Sequence, residues 1–279
     1  MKKKALLILI CALVIFNGVI WFLVFKKDSS ELTIAFLNVG QGDAIFIEAP
    51  DGNQMLIDGG NGGSVLQALS DVMPFYDRFI DVVVATHPDA DHIGGLIDVF
   101  ERFNISFVIE SGNIGDTETA KRLEKEIAEA GAARFLARRG MSIDLGNGVV
   151  AHVLFPDRDV SEIESNTASV VLQIVYGETE ILLTGDSPKS IEKLLVSQNK
   201  NLKSDILKIG HHGSRTSTDP SFLAAVAPTI GVISAGKDNR YGHPHQEVVE
   251  LLQNQRVRFF ETKDGHVVFT SNGKVLELK

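Results

Sequence analysis

Between His87 and His92 the chain places two histidines and two aspartates, His87, Asp89, Asp91 and His92, in six residues. Imidazole nitrogens and carboxylate oxygens at that density suit a divalent ion such as Zn²⁺, Mn²⁺ or Fe²⁺. One aspartate ahead of an apolar helix is commonly only a cap. Four such residues in one loop are not explained that way, because clustered carboxylates repel one another unless a cation neutralises them. A single loop offers too few donors to close a site, so the metal reading requires more of them downstream. The chain supplies Asp186 in LLTGD, and His211 and His212 in LKIGHHGS.

The surrounding pattern shows what must position these donors. The apolar run Val82–Ala85 reads as the end of a buried strand, and Ile93 to Phe103 has helical spacing, so Asp91 and His92 fall in a first helical turn. LLTGD ends a strand over 180–184 and precedes a helix over 190–196. HHGS lies between the strand SDILKIG and the helix PSFLAAVA. The loop GKDNRYGHPH lies between the strand TIGVISA and the helix QEVVELLQNQ. Every candidate therefore sits at a strand end, and all can converge on one edge. Upstream, LTIAFLNV, AIFIEA and QMLIDGG read as short strands, the last two joined at Asp51–Gly52–Asn53. Asp43 and Asp58 beside glycines are either turn residues or carboxylates standing behind the ligands. A strand over 104–111, an amphipathic helix over 118–131, a strand over 133–138, a hairpin turning at Asn147–Gly148 and strands over 168–176 and 180–184 complete the plan. Two halves of alternating strands and helices predict an α+β four-layer αββα sandwich.

With 279 residues, 44% hydrophobic and 23% charged, the chain is globular in composition. Its one cysteine, Cys11, excludes internal disulfides and thiolate zinc sites. The basic stretch 1–4 leads into an apolar run over 5–25, long enough as a helix to span a hydrocarbon core of ~30 Å. No A-x-A cleavage site follows, which favours an uncleaved anchor over a signal peptide. Three lysines ahead of the span against two after it predict N-in, C-out. The expected organisation is basic N-terminus 1–4, transmembrane anchor 5–25, linker 26–31 and catalytic domain 32–279. The chain would then be a single-pass protein of the cytoplasmic membrane with its catalytic domain on the extracytoplasmic side.

THPDADHIGG resembles the first metal motif of metallo-β-lactamase-fold hydrolases, HxHxDH, with Asp89 where the second histidine usually stands. Taken with FLNVGQGDAIFIEAPDGNQMLIDGG, LLTGD, LKIGHHGSRTST and GKDNRYGHPH, it resembles the soluble metallo-hydrolase domain of the ComEC family of competence (DNA-uptake) proteins. The resemblance covers nearly everything after the first thirty residues. It implies the metallo-β-lactamase fold with its opening meander at the edge of the first sheet, and two divalent ions, Zn²⁺ or Mn²⁺. His87 and Asp89 would hold one ion, Asp91, His92 and His211 the other, and Asp186 both, with His212 as the alternative to His211. Where such folds commonly supply a third histidine, this chain has Asn166. The carboxylate of Asp89 adds oxygen character to its subsite and moves the preference toward Mn²⁺ or Mg²⁺. Two ions ~3.5–4 Å apart lower the pKa of a water held between them and clamp the attacked group. Asp91, His212 and His243 are the candidate catalytic residues. Ser214, Tyr241 and His245 are candidates for holding substrate.

The function implied is a membrane-anchored, metal-dependent phosphodiesterase or nuclease acting on DNA beside a separate DNA-translocating channel, since one span cannot form a channel. Lys208, Arg215, Lys237 and Arg240 lie in or next to the ligand-bearing loops and would supply local positive potential. A net charge of −9 without a dense basic cluster speaks against extensive phosphate neutralisation. The alternative is hydrolysis of a small ester, lactone, β-lactam or cyclic nucleotide. A non-catalytic binding module is a third reading, which the nearly complete donor set disfavours.

Overall fold

The computed structural model describes residues 2–25, 31–198 and 201–279. The chain divides into two compact units, 1–30 and 31–279. In the first, α1 (Lys2–Phe25) is a continuous helix. Its described side chains, including Leu6, Leu9, Leu13, Phe16 and Trp21, are exposed. Side chains at 2, 20 and 22–25 lie outside the described residues, and among those described no helix is long and apolar enough to cross a membrane. The expected linker lies outside the described residues except for Glu31.

The second unit opens with β1 (Leu32–Phe36), β2 (Ile45–Glu48) and β3 (Gln54–Ile57), followed by α2 (Ser64–Val72), β4 (Phe79–Ala85), α3 (Ala90–Arg102), β5 (Asn104–Glu110), α4 (Glu118–Ala130) and β6 (Ala133–Leu136). The other half contains β7 (Ser142–Asp144), β8 (Val149–Phe155), β9 (Val171–Tyr176), β10 (Thr179–Leu183), α5 (Lys189–Gln198), β11 (Ile206–Lys208), α6 (Pro220–Val226), β12 (Ile230–Ile233), α7 (Gln246–Asn254) and β13 (Arg258–Glu261). A closing hairpin, β14 (Val267–Ser271) and β15 (Leu276–Leu278), ends the chain. The strands form two sheets, ordered β15-β14-β1-β2-β3-β4-β5-β6 and β13-β12-β11-β10-β9-β8-β7.

Three apolar layers show why the sequence settles this way. Ile34, Phe36, Ile47 and Val84 of one sheet meet Val149, Ile174, Ile181 and Val232 of the other between the sheets. The outer face of the first sheet packs Val83 and Val108 against Leu69, Leu96 and Leu123 of α2–α4. The outer face of the second packs Leu182 and Leu207 against Leu195, Phe222 and Leu252 of α5–α7. This is the expected αββα sandwich. Strand β8 follows the rule of alternation, with Val149, Ala151, Val153 and Phe155 buried and the residues between them half-buried. On α4, Ala120, Leu123 and Ile127 form the buried stripe. Thr117 caps its first turn by accepting from Ala120 N, and Gly131 ends it in a left-handed conformation.

One expectation is corrected. The opening meander does not lie at a sheet edge: β14 pairs antiparallel with β1, so the closing hairpin takes the edge and β1–β3 lie inside the sheet. The consequence is functional, because β3 and β4 run parallel as neighbours and their carboxyl ends open side by side. In the other sheet β10, β11 and β12 are parallel too. Loops at the carboxyl ends of parallel strands are where α/β sheets place ligands. Asp58, His87, Asp186, His211, His212 and His243 all lie in the loops that follow β3, β4, β10, β11 and β12.

Candidate metal centre

Close backbone approach sets the floor of the site. Gly42 has φ +124, and a Cβ there would run into the carbonyl of Asp91. Only glycine lets the VGQGD turn pass under α3, where Asp43 N donates to Asp91 O at 3.2 Å. Asp43 is thereby brought beneath the ligand loop with its side chain buried.

Asp58 organises the next layer. Its own backbone is left-handed (φ 57). Thr86 N donates to its Oδ1 at 2.8 Å and Thr86 Oγ1 to its Oδ2 at 2.6 Å, while His92 Nδ1 lies 2.8 Å from Oδ2. A carboxylate only accepts, so His92 carries its proton on Nδ1 and turns Nε2 inward. The Thr86 hydroxyl, having given its proton to Asp58, accepts from His87 Nδ1 at 3.0 Å, which fixes the same tautomer on His87. His212 Nδ1 lies 2.7 Å from the Ser234 carbonyl, again forcing an Nδ1 proton. The Nε2 atoms of His87, His92 and His212 are all buried without a hydrogen-bond partner.

Those orphaned nitrogens converge on carboxylates. Asp186 Oδ2 lies 3.3 Å from His92 Nε2 and 3.3 Å from His212 Nε2. Asp91 Oδ2 lies 3.3 Å from His212 Nε2, and Asp89 Oδ2 is 3.7 Å from His87 Nε2. Three buried imidazoles, each with Nδ1 committed and Nε2 turned toward carboxylates, form an arrangement that fits divalent ions. Asp91, His92 and His212 form one group able to hold an ion. Asp58, His87 and His92 also lie within coordinating range. Asp58 Oδ2 is already taken by Thr86 and His92, so that carboxylate orients an imidazole instead of facing an ion.

Asp89 sits at the N-cap position of α3 but makes no capping bond. Its Oδ1 instead accepts from Ser165 Oγ at 2.6 Å, and Oδ2 is left toward His87. Asn166, standing where a histidine is absent, has a buried and unpartnered Oδ1. His211 and His212 both hold left-handed backbone angles (φ 49 and 55). Such strain, about 1–3 kcal/mol per residue, persists where the surroundings enforce it. It splits the two imidazoles. His212 is buried in the cluster, whereas His211 is partly open, with Nε2 3.7 Å from Asp186 Oδ2 and Nδ1 3.1 Å from Thr216 Oγ1.

The electrostatics follow from this crowding. Burial opposes the charged forms of His92 and His212, but Asp186 with Asp58, and Asp186 with Asp43 and Asp91, outweigh it and hold both imidazoles well above the ordinary histidine range. Burial and the neighbouring His92 push His87 well below it. Against burial, the hydrogen bond from His212 and the charge of His92 bring Asp91 down to about 2. Asp186 is held well below the carboxylate range, burial being overcome by His212, His92 and Lys208. In the metal-free chain, protons on His92 and His212 do part of the neutralising that ions would do.

The substrate-side candidates separate. Tyr241 is exposed and stacks on His243 (centroids 5.7 Å apart, planes at 22°), with the Arg240 guanidinium 5.5 Å from its ring. His243 Nδ1 is unpartnered, and burial with the charges of His212 and His211 lowers its pKa to about 4, so it is neutral at pH 7. It can accept a proton or a hydrogen bond there, but it does not hold one to give to a leaving oxygen. His245 is occupied by Arg215, whose backbone N donates to Nδ1 at 3.1 Å and whose Nη2 lies 3.2 Å from Nε2. Ser214 is buried and its hydroxyl accepts from Thr216 Oγ1 at 2.9 Å. Lys208, expected among the cations facing substrate, is fully buried on Asp43 and Asp186 and cannot reach one. Thr86, Ser165, Thr216 and Ser169, whose hydroxyl accepts from Asp186 N at 3.1 Å, were not singled out by sequence. The only signal for them is adjacency, since each lies within four residues of a candidate donor or of Asn166.

Residues 37–237 match the Metallo-beta-lactamase superfamily. The chain is 31% identical over 268 residues to ComE operon protein 3 of Bacillus subtilis, covering 88% of this chain and 34% of that protein. It is 28% identical over 264 residues to Recombination protein 2 of Haemophilus influenzae, covering 92% of this chain and 31% of that protein. The chain thus spans about a third of the length of the curated relatives it matches. Among solved structures, CmlA, a diiron β-hydroxylase from Streptomyces venezuelae, superposes with a TM-score of 0.55 at 16% identity over 83% of this chain and 52% of that one, a likeness of fold alone.

Proposed function

Because the chain belongs to the metallo-β-lactamase superfamily and is a metal-dependent hydrolase, we propose that it cleaves phosphodiester bonds of DNA. The observation that carries the reading is the oxygen-rich donor set. Asp91, His92, His212 and Asp186 would hold one ion and His87 and Asp89 the other, with Asp186 shared between them as the family resemblance implies, so Asp89 replaces an imidazole with a carboxylate and favours Mn²⁺ over Zn²⁺. The curated relatives include a protein named for competence, and ComE operon protein 3 and Recombination protein 2 align over most of this chain. That kinship supports a DNA-uptake context and so a DNA substrate.

Two divalent ions held there supply an activated water and polarise the phosphoryl oxygen. The chain's own part is positional. Asp58 and the Ser234 carbonyl keep His92 and His212 in the tautomer that presents Nε2. Ser165 holds Asp89, and neutral His243 keeps a buried Nδ1 without a hydrogen-bond partner beside His211 and His212. Arg240 and Tyr241 offer a cation and an exposed ring to the nucleotide.

Replacing Asp58 by Asn tests the tautomer argument. The amide NH₂ would donate to His92 Nδ1 and drive the imidazole proton onto Nε2. The expected result is a metal affinity about 10- to 100-fold weaker, read by competition with a chelating dye. Unchanged affinity would remove His92 from the proposed donors.

The anchor belongs to the same reading. α1 exposes leucine, isoleucine, phenylalanine and tryptophan, which water does not favour. A single span with the catalytic unit outside the cytoplasmic membrane fits the distribution of lysines. Alkaline washing of membranes should leave the chain in the pellet, and its release would refute anchoring.

For activity, the full chain in mild detergent would be stripped of metal, reloaded separately with Mn²⁺, Zn²⁺ or Mg²⁺ and given end-labelled single- and double-stranded DNA. Cleavage strongest with Mn²⁺ is expected. The −9 net charge and the burial of Lys208 favour a small ester or cyclic nucleotide as the second reading. Turnover of those compounds without DNA cleavage would establish it in place of the first.

A further inference from the structure

Lys208 ends β11 with its side chain wholly inside the protein. Its Nζ lies 2.5 Å from Asp43 Oδ2, 3.0 Å from Gly185 O and 3.4 Å from Asp186 Oδ1. An ammonium has three N–H donors, and here three oxygens receive them, so none is left for a substrate. Two carboxylate oxygens and a backbone carbonyl around one point form the kind of donor set that hard divalent cations take. Asp43, His92 and Asp186 are, by position, a group able to hold a metal ion.

We propose that Lys208 is a built-in cation that occupies an oxygen site otherwise open to a third divalent ion, and so limits the centre to two. The inference rests on the two-ion reading above. Charge supports it. Asp43, Asp58, Asp89, Asp91 and Asp186 are five carboxylates gathered within or directly behind the cluster. Two divalent ions and one ammonium neutralise five negative charges, whereas a third divalent ion in place of the ammonium leaves one positive charge in excess, so the singly charged head group is the better match.

Geometry supports it as well. By holding Asp186 Oδ1, Lys208 leaves only Oδ2 to face His92 and His212, each 3.3 Å away. Asp186 is thereby kept to a single oxygen that faces the subsite of Asp91, His92 and His212. Asp43 is held on the ammonium through Oδ2, and its Oδ1 is buried without a hydrogen-bond partner, 3.5 Å from His212 Nδ1. That unsatisfied oxygen is a free donor for any ion that replaced the lysine head group. A covalently attached cation also stays when metal is scarce, so the floor of the site keeps its shape before the exchangeable ions arrive.

The test is a count of bound metal. The full chain in detergent, with and without Lys208→Met, would be stripped, equilibrated with excess Mn²⁺, freed of unbound ion by gel filtration and assayed by plasma mass spectrometry. Two Mn²⁺ per native chain and three per Lys208→Met chain are expected. The pair Lys208→Met/Asp43→Asn, which removes the charge that would hold the extra ion, should return to two. The single variant should unfold at lower temperature than the native chain when metal-free and recover when Mn²⁺ is added. A Lys208→Met chain that folds and binds no more Mn²⁺ than the native protein overturns the proposal. So does one that cannot fold even with Mn²⁺ present, because the divalent ion would then be unable to stand in for the ammonium. A native count other than two would refute the two-ion reading, while the increment between native and variant chains would still decide the role of Lys208.

Discussion

Asp186→Ala is expected to lower hydrolysis by about 10³-fold or more, because it removes the carboxylate that faces both His92 and His212 and, on the two-ion reading, is shared between the subsites on which activation of water depends. The Oδ2 atom of Asp186 is 3.3 Å from the inward nitrogens of both His92 and His212 and 3.7 Å from that of His211. No other carboxylate among the described residues approaches all three imidazoles. The substitution has a second, independent signature. Asp186 is the largest of the influences that hold His92 and His212 above the ordinary histidine range against burial. Without it, both should lose their protons at lower pH in the metal-free protein, a change visible in the imidazole resonances by NMR titration. In the native chain an incoming ion must displace those protons, so metal uptake should weaken as pH falls. Asp186→Asn separates charge from volume, since it keeps the side chain's size and loses the negative charge. Activity within tenfold of native in both variants would exclude Asp186 as a shared ligand.

How much of this was legible in the chain depends on how local each signal is. THPDADH could be read because four donors fall in one loop between an apolar strand and an amphipathic helix, and both elements form where their periodicity puts them. The two helical layers and two sheets follow for the same reason. What the periodicity does not contain is which strands become neighbours. The closing hairpin pairs with β1 from more than 200 residues away, through the contact of Leu32 with Ser271, and so moves the opening meander from an expected edge to the interior. Lys208 shows the same limit at the scale of one side chain. In LKIGHHGS it reads as a cation beside a ligand loop. Only the approach of Asp43 from the opposite sheet, passing under Asp91 at Gly42, turns it into a buried counter-charge. Ser214 and Ser165 differ in a comparable way. The first is next to the ligand histidines in sequence yet is occupied by Thr216, while the second lies 76 residues from Asp89 and holds it. Asp89 itself resembles a helix cap in sequence, and only the absence of a capping bond separates it from one.

The pair His211 and His212 gives the sharpest division between two adjacent residues of the same type. His212→Ala is expected to reduce turnover by about 10³-fold and to lower the bound Mn²⁺ by one ion per chain, as loss of a ligand from a two-metal site should. His212 is buried, its Nδ1 proton is committed to the Ser234 carbonyl, and its unpartnered Nε2 stands 3.3 Å from both Asp91 and Asp186. His211 has the same backbone strain but the opposite surroundings. It is partly open, tied through Nδ1 to Thr216, and 3.7 Å from a single carboxylate, Asp186. Its position at the mouth beside His243, with ring centroids 5.7 Å apart, suits contact with substrate more than coordination. His211→Ala should therefore keep both ions and lose about 10- to 100-fold in kcat/KM, the worth of one hydrogen bond to a charged group. Metal counting and steady-state kinetics on the two variants separate these roles. If His211→Ala were the variant that lost an ion while His212→Ala kept both, the inward-facing nitrogen of His212 would need another purpose, and the subsite of Asp91 and His92 would have to be completed from the open side of the loop.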